Sequence, residues 1–328
     1  MAVLCAVCFG QTNRPRTDPQ DMVYPVNIIE VSRIFPTRAR ALAARAEKNQ
    51  VEKERQDQAQ QETEDRLQAE QDKKRWEQTT LNSIKFSYIQ PGTFLMGSRQ
   101  GADNEKPVHE VRIPQGFYMQ TTEVTQAQWQ LVMGTRPWFG EEYVREGDDY
   151  PAIYVSWDDV EEFLRKLNQL DPGKGYRLPT EAEWEYVCRA GTNTEYCFGN
   201  EETMLGTYAW YDKNAWDIGE KYAHRVAQKQ PNAWGMYDMH GNVFEWCNDW
   251  YDEKYYHQVK NQTAVDPQGA LSGSFRVFRG GSWNLGSGHC RSADRLSYLP
   301  DTRNHHLGFR LAAGRFLVEP SQEQRAGN

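Results

Sequence analysis

The chain has 328 residues, with 38 basic against 46 acidic side chains and a formal charge of -8. An acidic balance without a basic cluster speaks against a phosphate backbone or an anionic lipid surface, so no nucleic acid is expected as a partner. Apolar residues reach only 38%, and no run approaches the roughly 18 that a membrane span requires.

The first 36 residues are mixed, with one strand-like run, VYPVNIIEV. Their start, AVLCAVCFG, is short and apolar but lacks a positively charged flank. It reads as an ordinary buried strand in a cytoplasmic protein. If residues 1–11 are instead the remnant of a signal peptide, the protein is secreted or periplasmic. The six cysteines (Cys5, Cys8, Cys188, Cys197, Cys247, Cys290) are too irregularly spaced for a disulfide framework or a paired CxxC metal pattern. From residue 37 to 83 there is neither glycine nor proline, and Ala, Glu, Gln, Lys and Arg dominate. That composition predicts a charged helix. Leu42, Val51, Leu67 and Trp76 are too few for a heptad seam, which makes the segment a solvated spacer or a helix that docks on a partner.

From IKFSYIQPGTFLMGS onward, short β-like runs, glycines and scattered tryptophans replace the helix. GFYMQTTEVTQAQWQLVM reads as a strand leading into a helix, with Thr125 as N-cap. SWDDVEEFLRKLNQL is an amphipathic helix capped by Ser156, with Val160, Phe163, Leu164 and Leu167 on one face. LPTEAEWEYVCRAG repeats the device with Thr180, Glu183 and Gly191. The remainder reads as turns and short strands. The 11 Trp and 17 Tyr imply that large flat side chains carry much of the packing in this α+β layout.

The ordered series PGTFLMGS, TTEVTQAQW, PAIYVSWDDV, YRLPTEAEWEYVCRAGT, NAWGMYDMHGNVFEWCNDWY, RVFRGGSWN, CRSADR and LGFRLAAG resembles the formylglycine-generating enzyme (sulfatase-modifying factor) family from about residue 84 to 315. The resemblance implies a loop-rich variant of the C-type lectin fold. It sets a domain at 84–316, leaving an N-terminal segment of unknown role (1–36), the helical spacer (37–83) and a tail (317–328). The family's enzymes oxidise a cysteine of a client sulfatase with O₂ and a copper ion held by two cysteines five residues apart. On this chain the second position falls on Cys290, the only nucleophile the resemblance offers an oxidase here, but the first falls on Leu285. Leucine supplies no soft ligand, so copper is not expected. Adjacent residues of an extended segment point apart, so Cys290 is read as a small buried hydrophobe with His289 in solvent.

The family's calcium site carries over onto Asp238, Gly241, Val243 and Glu245, hard oxygen donors for a structural ion. The opposing reading is an Asx-turn at Asp238 and an arginine partner for Glu245. A second calcium site does not carry over, since YAWYDKNAWD lacks its pattern. The segment 284–306 mixes small, polar and aromatic residues in the manner of a binding face. Its candidate contacts are Asn284, Leu285, Ser287, His289, Asp294, Tyr298, Asn304, His305 and His306, with arginines bracing the loops. The expectation is a non-catalytic module that binds a protein or peptide through this surface. Two alternatives are a divergent oxidoreductase acting on a protein cysteine and a ligand-binding variable protein of a diversity-generating retroelement. For the latter, the segment lacks Lys, Glu, Gln, Met and Trp, and its scattered residues are reachable from asparagine codons by adenine mutagenesis.

Overall fold

In the computed structural model, which describes residues 36–314, the glycine-free stretch forms one helix, α1 (Pro36–Ser83). The run VYPVNIIEV and residues 317–328 lie outside the described residues. The chain divides into two compact units, one ending at Lys73 and one beginning at Lys74.

In the first unit the helix buries none of its described side chains: Leu42, Val51 and Leu67 are 60%, 58% and 50% exposed. The side chain of Trp76 is outside the described set. With no apolar face, support comes from glutamine amides that donate one turn ahead, as from Gln50 to Glu54 (2.8 Å), Gln60 to Glu64 (2.9 Å) and Gln68 to Asp72 (2.9 Å). Such pairs contribute about 0.2–0.5 kcal/mol each.

The second unit begins within α1, in whose last turn Thr80 is buried and Leu81 packs against the core. Three small sheets follow. One orders β1 (Phe86–Ile89), β4 (Phe117–Gln120), β11 (Ala312–Ala313) and β5 (Tyr176–Arg177). The second orders β10 (Leu307–Gly308), β6 (Phe244–Trp250), β8 (Arg276–Arg279) and β9 (Leu296–Tyr298). The third orders β2 (Gly92–Met96), β3 (His109–Ile113) and β7 (Ala264–Val265). In the first two, strands near the C-terminus pair with strands from earlier in the domain, so the segment from β8 to β11 is stitched into the body of the fold.

The capped helices form where the sequence places them. In α2 (Gln126–Met133), Thr125 Oγ1 accepts from Gln128 N, and Gln128 Oε1 accepts in return from Thr125 N. In α3 (Trp157–Leu170), Ser156 and Asp159 make the same reciprocal pair, and Val160, Phe163, Leu164 and Leu167 are buried. In α4 (Glu181–Arg189) it is Thr180 and Glu183. Each box satisfies two otherwise orphaned backbone donors. The end of α4 differs in detail from expectation. Ala190 itself takes the left-handed position (φ 46°), and Gly191 follows at φ 91°. Two further short helices, α5 (Leu205–Tyr208) and α6 (Tyr255–Val259), lie in the loop-rich half.

Trp129, Trp138, Trp184, Trp246 and Trp283 are among the largest fully buried side chains, as the aromatic content requires. Alongside them runs an ionic frame. Arg279 donates to Glu181 (2.6 Å), Glu185 (2.6 Å) and the Ser292 carbonyl (2.6 Å), while Arg295 grips Glu181 through two 2.7 Å bonds. Burial alone would raise the Glu181 carboxyl, but Arg295 and Arg279 hold it below its usual range. Helix α4 thereby fixes strand β8 and the loop after it.

Candidate binding face

Strand β8 is followed by Gly280 (φ 106°) and Gly281 (φ 78°), left-handed positions that favour glycine. A Cβ on Gly281 would lie 2.7 Å from Cys290 Sγ and 2.9 Å from its Cα. The double glycine therefore lets the following loop fold back on itself, ending in a 3-10 turn over Ser287–Cys290. Leu285 packs against the main core, whereas Cys290 is enclosed by Tyr196, Leu205, Ala209 and Tyr211 in a separate cluster. Cys290 is 0% exposed, and burial pushes its thiol far above the ordinary range. A thiolate is the reactive and metal-binding form, so this environment disfavours both roles.

His289 pairs with Asp294. Its Nδ1 lies 3.2 Å from Asp294 Oδ2, an interaction that raises its pKa, and the imidazole is half exposed. Another histidine contacts the cysteine region. His240 Nδ1 lies 2.8 Å from the Cys290 carbonyl, and its Nε2 accepts from Cys197 N at 3.0 Å. A carbonyl only accepts and an amide N–H only donates, so the proton sits on Nδ1 and the ring is structural. Cys188 is buried and pushed up to about 12, and Cys247 is buried and likewise raised by desolvation. Both are packing residues.

The candidate calcium donors lie around the start of β6. Both carboxylate oxygens of Glu245 are engaged: Arg310 Nε and Nη2 donate at 2.6 and 2.5 Å, and Trp184 Nε1 donates at 2.7 Å. Asp238 Oδ2 accepts from Ala227 N at 2.7 Å, and its Oδ1 is buried without a protein donor, as is Glu123 Oε2. Among the described residues no group of three or more His, Cys, Asp and Glu side chains is arranged to hold a metal. Glu245 is already neutralised by a guanidinium, and Asp238, Gly241 and Val243 lie in the turn leading into β6. The arginine-paired alternative describes Glu245 in this structure, with Arg310, outside the expected donor set, as the partner.

Of the nine expected face residues, the structure brings Asn284, His305 and His306 together. Asn284 Nδ2 donates to His305 Nε2 (3.2 Å) and His306 Nδ1 (3.4 Å), and its Oδ1 accepts from Ser282 Oγ (2.7 Å). Tyr298 joins through its ring, 6.5 Å from His306 and 4.6 Å from Phe278. Burial, then its neighbour His305, lowers His306 to about 4, and burial lowers His305 as well. Both histidines are neutral near pH 7. Asp294 is buried between His289 and Arg291 and braces the loop from inside, which removes it from the exposed contacts. His306 is only 9% exposed, so it forms the floor of the face. Leu285 belongs to the core margin, and Ser287 accepts from Tyr196 Oη through its carbonyl at 3.1 Å. Asn304 anchors the loop through its carbonyl, which accepts from Tyr154 N (3.0 Å), while its Oδ1 is buried without a donor. Arginines brace the same segment through Arg291–Glu105 and Arg303–Asp159.

Three aromatic residues from earlier loops complete the surface, and sequence reading did not find them. Tyr143 lies 5.1 Å from His305 and 6.2 Å from Trp283, Trp216 lies 5.6 Å from Trp283, and Tyr154 lies 6.4 Å from His305. The signal available was the aromatic-acidic stretch WFGEEY at 138–143. The arrangement is a half-buried, ring-lined surface with neutral polar groups at its base.

A mixed helix-and-sheet domain with few regular strands, long braced loops and a buried arginine–glutamate frame is the class defined by this fold. The family model described as the sulfatase-modifying factor enzyme 1-like domain matches residues 45–315. The formylglycine-generating enzyme of Streptomyces coelicolor is 32% identical over 282 residues, covering 67% of this chain and 86% of that protein. Among solved structures, Treponema denticola variable protein 1 is similar at a TM-score of 0.62 and 30% identity, covering 70% of this chain and 95% of the other. PvdO from Pseudomonas aeruginosa is similar at 0.61 and 27%, covering 70% and 94%. The chain belongs to the sulfatase-modifying factor enzyme 1-like family.

Proposed function

We propose that this chain is a non-catalytic recognition module that binds a protein or peptide through the surface built from residues 284–306 and the Tyr143 and Trp216 loops. The observation that carries this reading is the separation of Leu285 and Cys290 into different hydrophobic clusters, with the sole thiol of the pair fully buried. An oxidase of this family type needs a soft pair of ligands at those positions. A fold that spends its loops on a ring-lined surface while burying the cysteine favours recognition. Proximity labelling and affinity capture with the full chain should yield one set of partners for the native protein. The double variant Tyr143→Leu/His305→Leu should lose them with its melting temperature kept. Capture that survives the double variant would place recognition elsewhere.

A second reading, a ligand-binding variable protein of a diversity-generating retroelement, is favoured by the likeness to the Treponema variable protein and by the Asn-accessible composition of 284–306. A reverse transcriptase gene and an imperfect template repeat in the flanking DNA would support it, and their absence would remove it.

A further inference from the structure

We infer that the ring-lined surface is a receptor for the alkylammonium head of a lysine side chain, methylated or not, on a peptide partner. The inference rests on the recognition reading above and specifies its chemistry. Four rings carry it, Tyr143, Tyr154, Trp216 and His305, backed by the fully buried Trp283. Neighbouring centroids among them lie 5.1 to 6.4 Å apart and the planes are inclined at 44 to 54°, so the rings are tilted to one another instead of stacking flat. Tilted π faces on one half-exposed surface present negative quadrupole in more than one direction, which suits a cation more than a neutral group.

The backbone is strained to hold two of these rings. Tyr143 (φ 61°) and Tyr154 (φ 56°) both occupy the left-handed region, where bulky side chains are rare. Such positions persist when the surroundings over-determine them, and they concentrate at ligand sites. Tyr154 is tied down by its hydroxyl, which donates to the Glu142 carbonyl at 3.0 Å.

Charge points the same way. The loop at 141–149, EEYVREGDD, has five carboxylates against one guanidinium. Glu141 and Glu142 lie close enough to Tyr154 to act, after burial itself, on its ionisation. Arg145, the lone base, is drawn off over the Tyr222 ring at 4.3 Å. His305 accepts at Nε2 from Asn284, so the imidazole is neutral and contributes a ring face without a competing positive charge. The molecule's own lysine shows the preference: the Lys221 ammonium lies 4.5 Å from the centroid of Trp216.

The test uses the full chain and three small probes: Nα-acetyl-lysine methylamide, its Nζ-trimethyl form, and the neutral isostere in which tert-butyl replaces trimethylammonium. Titrations followed by tryptophan fluorescence and NMR should show the trimethylammonium probe binding at least about 10-fold tighter than the isostere, as cation–π recognition demands. Tyr143→Leu, checked for an unchanged melting temperature, should erase that selectivity. Lys221→Ser, which removes a nearby positive charge, should tighten the cationic probes. Should Tyr143→Leu fail to fold, Trp216→Leu serves in its place. Equal binding of the isostere, no binding of either cationic probe, or selectivity that survives both ring variants overturns the inference. Partner capture that persists without ammonium selectivity would sink this inference alone and leave the recognition reading standing.

Discussion

Replacing Arg310 with methionine removes a guanidinium that makes two bonds to Glu245, at 2.6 and 2.5 Å, and donates to the carbonyls of Gln120 (3.2 Å) and Tyr237 (3.0 Å). Both side chains of the pair are 0% exposed, so water cannot take over. Glu245 would keep only the Trp184 indole donor, with Glu123 and Asp238 nearby to repel it. Breaking a buried pair by deleting one partner costs about 3–5 kcal/mol. At about 2–4 °C per kcal/mol for a domain of this size, the melting temperature should fall by about 6–20 °C. The double variant Arg310→Met/Glu245→Leu removes both charges and should be closer to wild type than the single variant, with a coupling of about 2 kcal/mol or more. Urea unfolding of the four proteins measures this cycle. A single-variant loss under about 1 kcal/mol, or a double variant that loses the sum of the two singles, refutes the argument. The same samples carry the calcium question: exchanging EDTA for millimolar calcium should leave the native melting temperature unchanged, and a clear rise would assign Glu245 to a metal.

Thr180→Ala deletes one half of a capping box and should cost about 1 kcal/mol in the same unfolding assay. His306 has a folded pKa of about 4 against about 6.5 unfolded, so between those values the unfolded chain binds more protons. Stability should therefore fall as pH drops from about 6.5 to about 4, by up to about 3 kcal/mol, and His306→Gln should flatten that slope. Among the described cysteines Cys188, Cys247 and Cys290 are buried and Cys197 is half-buried. Native iodoacetamide labelling with peptide mapping should modify Cys197 first. Rapid modification of Cys290 would contradict its assigned packing role.

The capped helices were legible in the sequence because a cap is local: Ser156 and Asp159, or Thr180 and Glu183, sit three residues apart and need nothing from the rest of the chain. The family resemblance was legible because it rests on eight ordered motifs. The face was legible only in part. Asn284 and His305 lie in one continuous segment, but Tyr143 and Trp216 arrive from loops more than 60 residues away in sequence, and no periodicity links them. Asp294 and His306 looked like surface residues by composition. Each is buried beside neighbours that satisfy it, Asp294 by His289 and Arg291, His306 by the Asn284 amide and the Phe244 ring. The candidate calcium donors illustrate the same limit. Spacing alone cannot show that Arg310, 65 residues downstream of Glu245, occupies the position opposite its carboxylate.

The most direct test of the recognition account is an oxidation assay on the purified full chain, supplied with copper, oxygen and a cysteine-containing sulfatase peptide, with bound copper quantified on the same sample. The account predicts no formylglycine product and no stoichiometric copper. Turnover that disappears in Cys290→Ser would contradict it, since the buried thiol would then be doing chemistry.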